Sequence, residues 1–134
     1  MFLLMPMVAT AAHGYEMGSY RTVTSVDTKD GRFGDYMTDL SKVWRKSPDM
    51  MTDDKKVKSF RMFANVHARH NEPDLYLLVE WTSAGAALDT PEEYWDANFE
   101  KLFGSEQLGE QANIARGELR KLLSESLMRE MHFK

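Results

Sequence analysis

Asn65, His67, Tyr76 and Glu80, with Arg61 just upstream, are the side chains whose types and spacing suit proton-transfer chemistry. His67 titrates near neutrality and can act as general base or acid. Glu80, in a partly apolar setting, is expected to have a raised pKa and the same capability. These residues fall at alternating positions of two neighbouring extended segments, so a shared face would gather several of them around one cavity. The plainer reading is that Arg61 and Glu80 pair with each other, which satisfies polar groups on a buried sheet face. A second set is aromatic: Tyr36, Trp44, Trp81, Trp95 and Phe99 either wall a pocket or fill the core. The candidate catalytic residues are thus His67 and Glu80, and the candidate ligand-binding residues are Tyr36, Trp44, Arg61, Asn65, Tyr76 and Trp81.

Other chemistries are excluded by what the sequence lacks. It has no cysteine, hence no disulfide, no thiolate nucleophile and no Cys-based metal site. Gly31 and Gly34 are not followed by Gly-Lys-Ser/Thr, and neither a dinucleotide fingerprint nor a Gly-x-Ser-x-Gly elbow occurs. His67 and His70 have the spacing of a metal pair, but a strand running into a turn would make them diverge, and no metal site is expected. A net charge of −4 argues against nucleic-acid binding, which normally needs a basic face. The ten methionines are scattered, as core filling requires.

The elements that must position these side chains follow from periodicity. Residues 19–28 are β-branched and aromatic, and predict a strand. Asp30-Gly31 is a turn, with Asp30 a candidate helix cap. Phe33, Tyr36, Met37, Leu40, Val43 and Trp44 then share one helical face, ended or kinked at Ser47-Pro48, with a short helical turn beyond. Residues 57–68 and Leu75 to Thr82 alternate as an antiparallel hairpin. Thr90-Pro91-Glu92-Glu93 reads as a capping box, opening a helix closed by Gly104. Leu108, Ala112, Ala115, Leu119 and Leu122 suggest one face of a further helix. Ser124-Glu125-Ser126 breaks that pattern, and Leu127 to Phe133 is expected as the last strand.

The 134 residues suit one domain, placed at 15–134. Residues 1–14 resemble the end of a secretory signal peptide. The apolar run Phe2 to Val8 is followed by the small residues Ala9-Thr10-Ala11-Ala12, though no Lys or Arg precedes it. The expected location is periplasmic or secreted, with the cytoplasm as the alternative. No stretch reaches the roughly 20 apolar residues of a membrane-spanning helix, so no span is expected.

A β-α-β-β-α-β order is the ferredoxin-like topology, an α+β fold with helices on one face of an antiparallel sheet. The second face carries Phe63, Tyr76 and Leu78 among polar residues, which suits a sheet-to-sheet homodimer. Three stretches carry a family resemblance: Val26 to Tyr36, Pro73 to Glu80, and Gly117 to Glu130. On these the chain resembles the dimeric α/β-barrel superfamily, and is similar to small exported bacterial proteins of that fold with no settled function. The resemblance implies a small-molecule-binding protein, or an enzyme independent of any cofactor. Haem-degrading members use Asn, Trp and His. Asn65, Trp81 and His67 are the same residue types but do not match that set position by position, and no cofactor is expected. The alternatives are a non-catalytic dimeric module of the cell envelope, or a partner-binding protein using the acidic helix around Glu92, Glu93, Asp96 and Glu100.

Overall fold

The computed structural model describes residues 14–134, and the signal-like segment lies outside them apart from Gly14. The first strand, β1 (Tyr15–Thr28), starts earlier than its β-branched stretch because its first residues pair with the far end of the chain. Gly31 takes φ 72°, a left-handed conformation that favours glycine, and turns the chain into α1 (Phe33–Trp44). Arg32 occupies the N-cap position and no side chain caps it, so Asp30 does not serve as the cap. Tyr36 and Leu40, one turn apart, are the buried residues of α1.

Arg45 ends α1 and begins α2 (Lys46–Asp53), so the expected break falls just before Ser47-Pro48. Pro48 sits in the first turn of α2, where the missing N–H breaks no helical bond. The hairpin is β2 (Val57–Ala64) and β3 (Leu75–Trp81). β2 stops short of residue 68. At Asn65 the backbone N–H donates to the Asp74 carbonyl (2.8 Å) and Nδ2 to the Pro73 carbonyl (3.1 Å), which closes the hairpin there.

A short helix that periodicity did not suggest, α3 (Ala84–Leu88), is capped by Ser83, whose Oγ accepts from the Ala86 N–H at 3.1 Å. It displaces the expected capping box. The Thr90 hydroxyl donates backward to the Ala86 carbonyl of α3 (2.7 Å), and Pro91 becomes the uncapped N-cap of α4 (Glu92–Phe103). Gly104, at φ 82°, ends α4 as expected.

α5 (Glu106–Gly117) does not bury the leucine-and-alanine face. Leu108 is exposed, and Gly109 and Arg116 are the buried residues. The reason is steric. A Cβ on Gly109 would lie 2.1 Å from the Phe99 ring of α4, so only glycine lets α5 approach α4 this closely. Gly109→Ala is therefore expected to lower stability by about 1–3 kcal/mol through overpacking, despite alanine's better helix propensity. Urea unfolding would measure it, and a stabilised variant would contradict the close approach.

The last strand, β4 (Arg120–Phe133), begins well before Leu127 and absorbs Leu122. Ser124, Glu125 and Ser126 interrupt an apolar pattern but not a backbone ladder; they pair with Ser25, Thr24 and Val23 of β1. The sheet order is β2-β3-β1-β4, with every neighbouring pair antiparallel. Beyond Arg21, β1 and β4 continue as a two-stranded ribbon that β3 does not reach.

One sheet face carries the core. Val26, Leu75 and Leu77 pack with Tyr36 and Leu40. Met51, Val57, Trp81 and Ala86 form a second cluster, against which Phe60, Tyr94 and Trp95 lean. The other face carries no helix among the described residues. The register places Val23 beside Leu78, Ser25 beside Tyr76, and Phe63 beside Tyr76 there.

Candidate functional site

The hairpin residues do not form one constellation. β2 ends before Asn65 and His67, so alternation no longer governs them. Asn65 ties off the hairpin, and His67 is an exposed loop residue. Among the described residues no group of three His, Asp or Glu side chains is placed to hold a metal ion.

Glu80 lies on the helix-free face, and its partner is Arg21 of β1 rather than Arg61. Arg21 Nη2 bridges Glu80 Oε2 (3.1 Å) and Glu130 Oε2 (2.8 Å), and Ser59 Oγ donates to Glu80 Oε1 (3.0 Å). Burial pushes the Glu80 pKa up. Hydrogen bonds from Ser59 and Ser19, with the charges of Arg21 and Lys58, outweigh it and hold the carboxyl below its ordinary value. The expected rise is thus reversed, and Glu80 is an ionised structural anion at neutral pH. The missed partners are Arg21 and Glu130. Arg21 was readable as a charge inside a β-branched run, but its partners depend on strand order.

The aromatic set divides. Tyr36 is 1% exposed and belongs to the core. Trp81 is also core, its Nε1 donating to Thr22 Oγ1 at 2.7 Å and its ring meeting Trp95 edge-on. Tyr76 is half-buried on the helix-free face. Trp44 is only half-buried, because one side of its ring faces a cleft.

That cleft, of about 470 Å³, opens between α1, α2 and the outer strand β2. Its walls are Met37, Leu40 and Trp44 from α1, and Phe60 and Met62 from β2. Trp44 and Phe60 meet edge-to-face, with centroids 5.3 Å apart. Arg45 and Asp49 supply charge around it; Arg61 borders it from β2, but pairs with Leu78, which puts its side chain on the helix-free face. Neither arginine has an ion-pair partner among the described residues. The arrangement suits a flat apolar molecule carrying a negative group. Of the candidate ligand residues, Trp44 faces this cleft, whereas Arg61 belongs to the adjoining strand and shares the opposite sheet face with Leu78. Met37 and Phe60 were not singled out as candidates, although Met37 lies on the predicted apolar face of α1.

The acidic side chains Glu92, Glu93, Asp96 and Glu100 are all exposed on α4. Asp96 and Glu100 border a hollow of about 590 Å³ between α4 and α5, floored by Trp95 and Phe99.

No protein-family model matches the chain, and no curated protein matches it. Solved structures do. A dimeric ferredoxin-like protein from an uncultured marine organism superposes with a TM-score of 0.52 at 10% identity, over 89% of this chain and 90% of that one. A hypothetical Arabidopsis thaliana protein gives 0.50 at 12% identity, over 93% and 96%. A dimeric ferredoxin-like protein of unknown function from Thermobifida fusca gives 0.43 at 11% identity, over 85% and 90%. At such identities the likeness concerns the fold, and it agrees with the strand order and one-sided helix layer: this chain is a ferredoxin-like α+β domain.

Proposed function

We propose that the chain is a homodimeric small-molecule-binding protein whose ligand is a flat apolar acid held in the cleft between α1, α2 and β2. The observation that carries this is the cleft itself, with Trp44 and Phe60 as walls and Arg45, which has no ion-pair partner among the described residues, beside them. Apolar walls with a few polar groups are the ordinary make-up of a ligand site. Catalysis without a cofactor remains part of the reading. His67 and Glu80, however, both lie away from the cleft lining, so binding is the stronger half.

Dimerisation through the helix-free face belongs to the same reading. That face presents Val23, Leu78 and Phe63 around the Arg21–Glu80–Glu130 cluster, and the marine protein of the same fold is described as dimeric. Export to the periplasm or beyond is proposed on the apolar and small residues of 1–14.

Thermal-shift screening against aromatic acids, quinones and haem tests the binding claim. A ligand at about 100 times its dissociation constant stabilises by about 2.7 kcal/mol. An aromatic acid is expected to give that shift, and Trp44→Ala or Arg45→Met to remove most of it. No shift with any compound would leave a dimer that serves assembly alone.

A further inference from the structure

We propose that the ligand of the cleft between α1, α2 and β2 is a free aromatic α-amino acid, with its carboxylate on Arg45 and its ammonium on Asp49 and Ser41; this rests on the cleft being a ligand site and narrows what it takes. Met37, Ser41, Arg45 and Asp49 all border the cleft and are spaced four residues apart. Arg45 itself has helical angles (φ −76°, ψ −38°), so that spacing carries from α1 into α2 and lines the four up as one ridge. Arg45 and Asp49 are both exposed, and neither has an ion-pair partner among the described residues, not even the other.

The donors and acceptors along this ridge are ones a plain acid cannot satisfy. Arg45 only donates, and the Asp49 carboxylate only accepts. Ser41 also only accepts toward the cleft, since its hydroxyl proton goes to the Thr38 carbonyl at 2.8 Å. A carboxylic acid alone would meet Arg45 and set its second oxygen against two acceptors, one of them charged. An ammonium beside the carboxylate answers both acceptors. Neighbours four apart on a helix lie about 5–6 Å apart at Cβ, so the two opposite charges can be met by groups on one carbon. The same spacing disfavours a longer molecule with its amine and its acid at opposite ends. The aromatic side chain follows from the walls. Trp44 turns one side of its ring to the cleft and Phe60 stands edge-on to it. Met37 and Met62 add thioethers, which pack favourably against aromatic rings.

Isothermal titration calorimetry of the full chain tests it with two matched sets. One is L-tryptophan, indole-3-propionate and tryptamine; the other is L-phenylalanine, 3-phenylpropionate and phenethylamine. In at least one set the amino acid is expected to bind about tenfold or more tighter than the acid or the amine, the worth of one charge-assisted hydrogen bond. Asp49→Asn should erase most of the preference over the acid, and Arg45→Met most of the preference over the amine. Asp35→Asn, which pairs with Arg32 and does not border the cleft, should erase neither. Acids that bind as tightly as their amino acids overturn the amino-acid assignment and leave the cleft a site for an apolar acid. Amines that bind as tightly overturn the place of the carboxylate on Arg45. No saturable binding by any of the six overturns the cleft as a ligand site altogether. The unmutated protein decides these outcomes even if a variant fails to fold.

Discussion

Phe63→Asp is expected to convert the proposed dimer into single subunits in sedimentation velocity. Phe63 lies on the helix-free face, cross-strand from Tyr76, and is 49% exposed in the single chain. A two-fold interface repeats each residue, so one substitution introduces two carboxylates into an apolar surface. If each buried, unpaired charge costs about 3 kcal/mol, the pair weakens association by roughly ten-thousand-fold. The subunit itself has little reason to unfold, because the ring is half in water before any partner arrives. Far-UV circular dichroism should therefore be unchanged while the sedimentation coefficient drops. A variant that stays dimeric would show that this face is not the contact.

Leu75→Ala should lower stability by about 3–5 kcal/mol, the cost of a cavity in a packed site that cannot fully collapse. Leu75 is 2% exposed and packs with Val26, Tyr36 and Leu40 between the sheet and α1. The informative control is Leu122→Ala. Both leucines pair across strands with Val26, Leu75 on β3 and Leu122 on β4, so register puts them on the same face. Leu122 is nonetheless 48% exposed, on an edge strand. Its truncation should cost under about 1 kcal/mol. Urea unfolding with matched slopes would measure both, and equal losses would contradict the one-sided core.

These two leucines show where sequence reading stops. Both are apolar residues in extended segments, and nothing local distinguishes them. The difference comes from strand order, which puts β3 inside the sheet and β4 at its edge. The α5 face failed for a related reason: leucine and alanine periodicity predicted burial, while close packing on Phe99 selected Gly109. The capping box failed because α3, only five residues long, placed a competing carbonyl beside Thr90. The candidate site was legible in parts only. Trp44 does face a cleft, but Arg61 lies on the other face of the neighbouring strand. Glu80 found its partner on β1, whose neighbours no hairpin analysis supplies, and His67 fell beyond the strand that was to orient it.

By itself the sequence determined the alternation of strands and helices, and so the ferredoxin-like order, because side-chain periodicities of 2 and 3.6 are local properties of the backbone. It also determined the chemistries that are missing, since thiols and glycine-rich phosphate loops either occur or do not. The tertiary structure alone decided which charges neutralise one another. Arg21 meets Glu130, and Arg116 meets Asp39, across large separations in the chain. Ion pairing depends on distance in space, and that distance exists only once the strands have been ordered and the helices laid on one side.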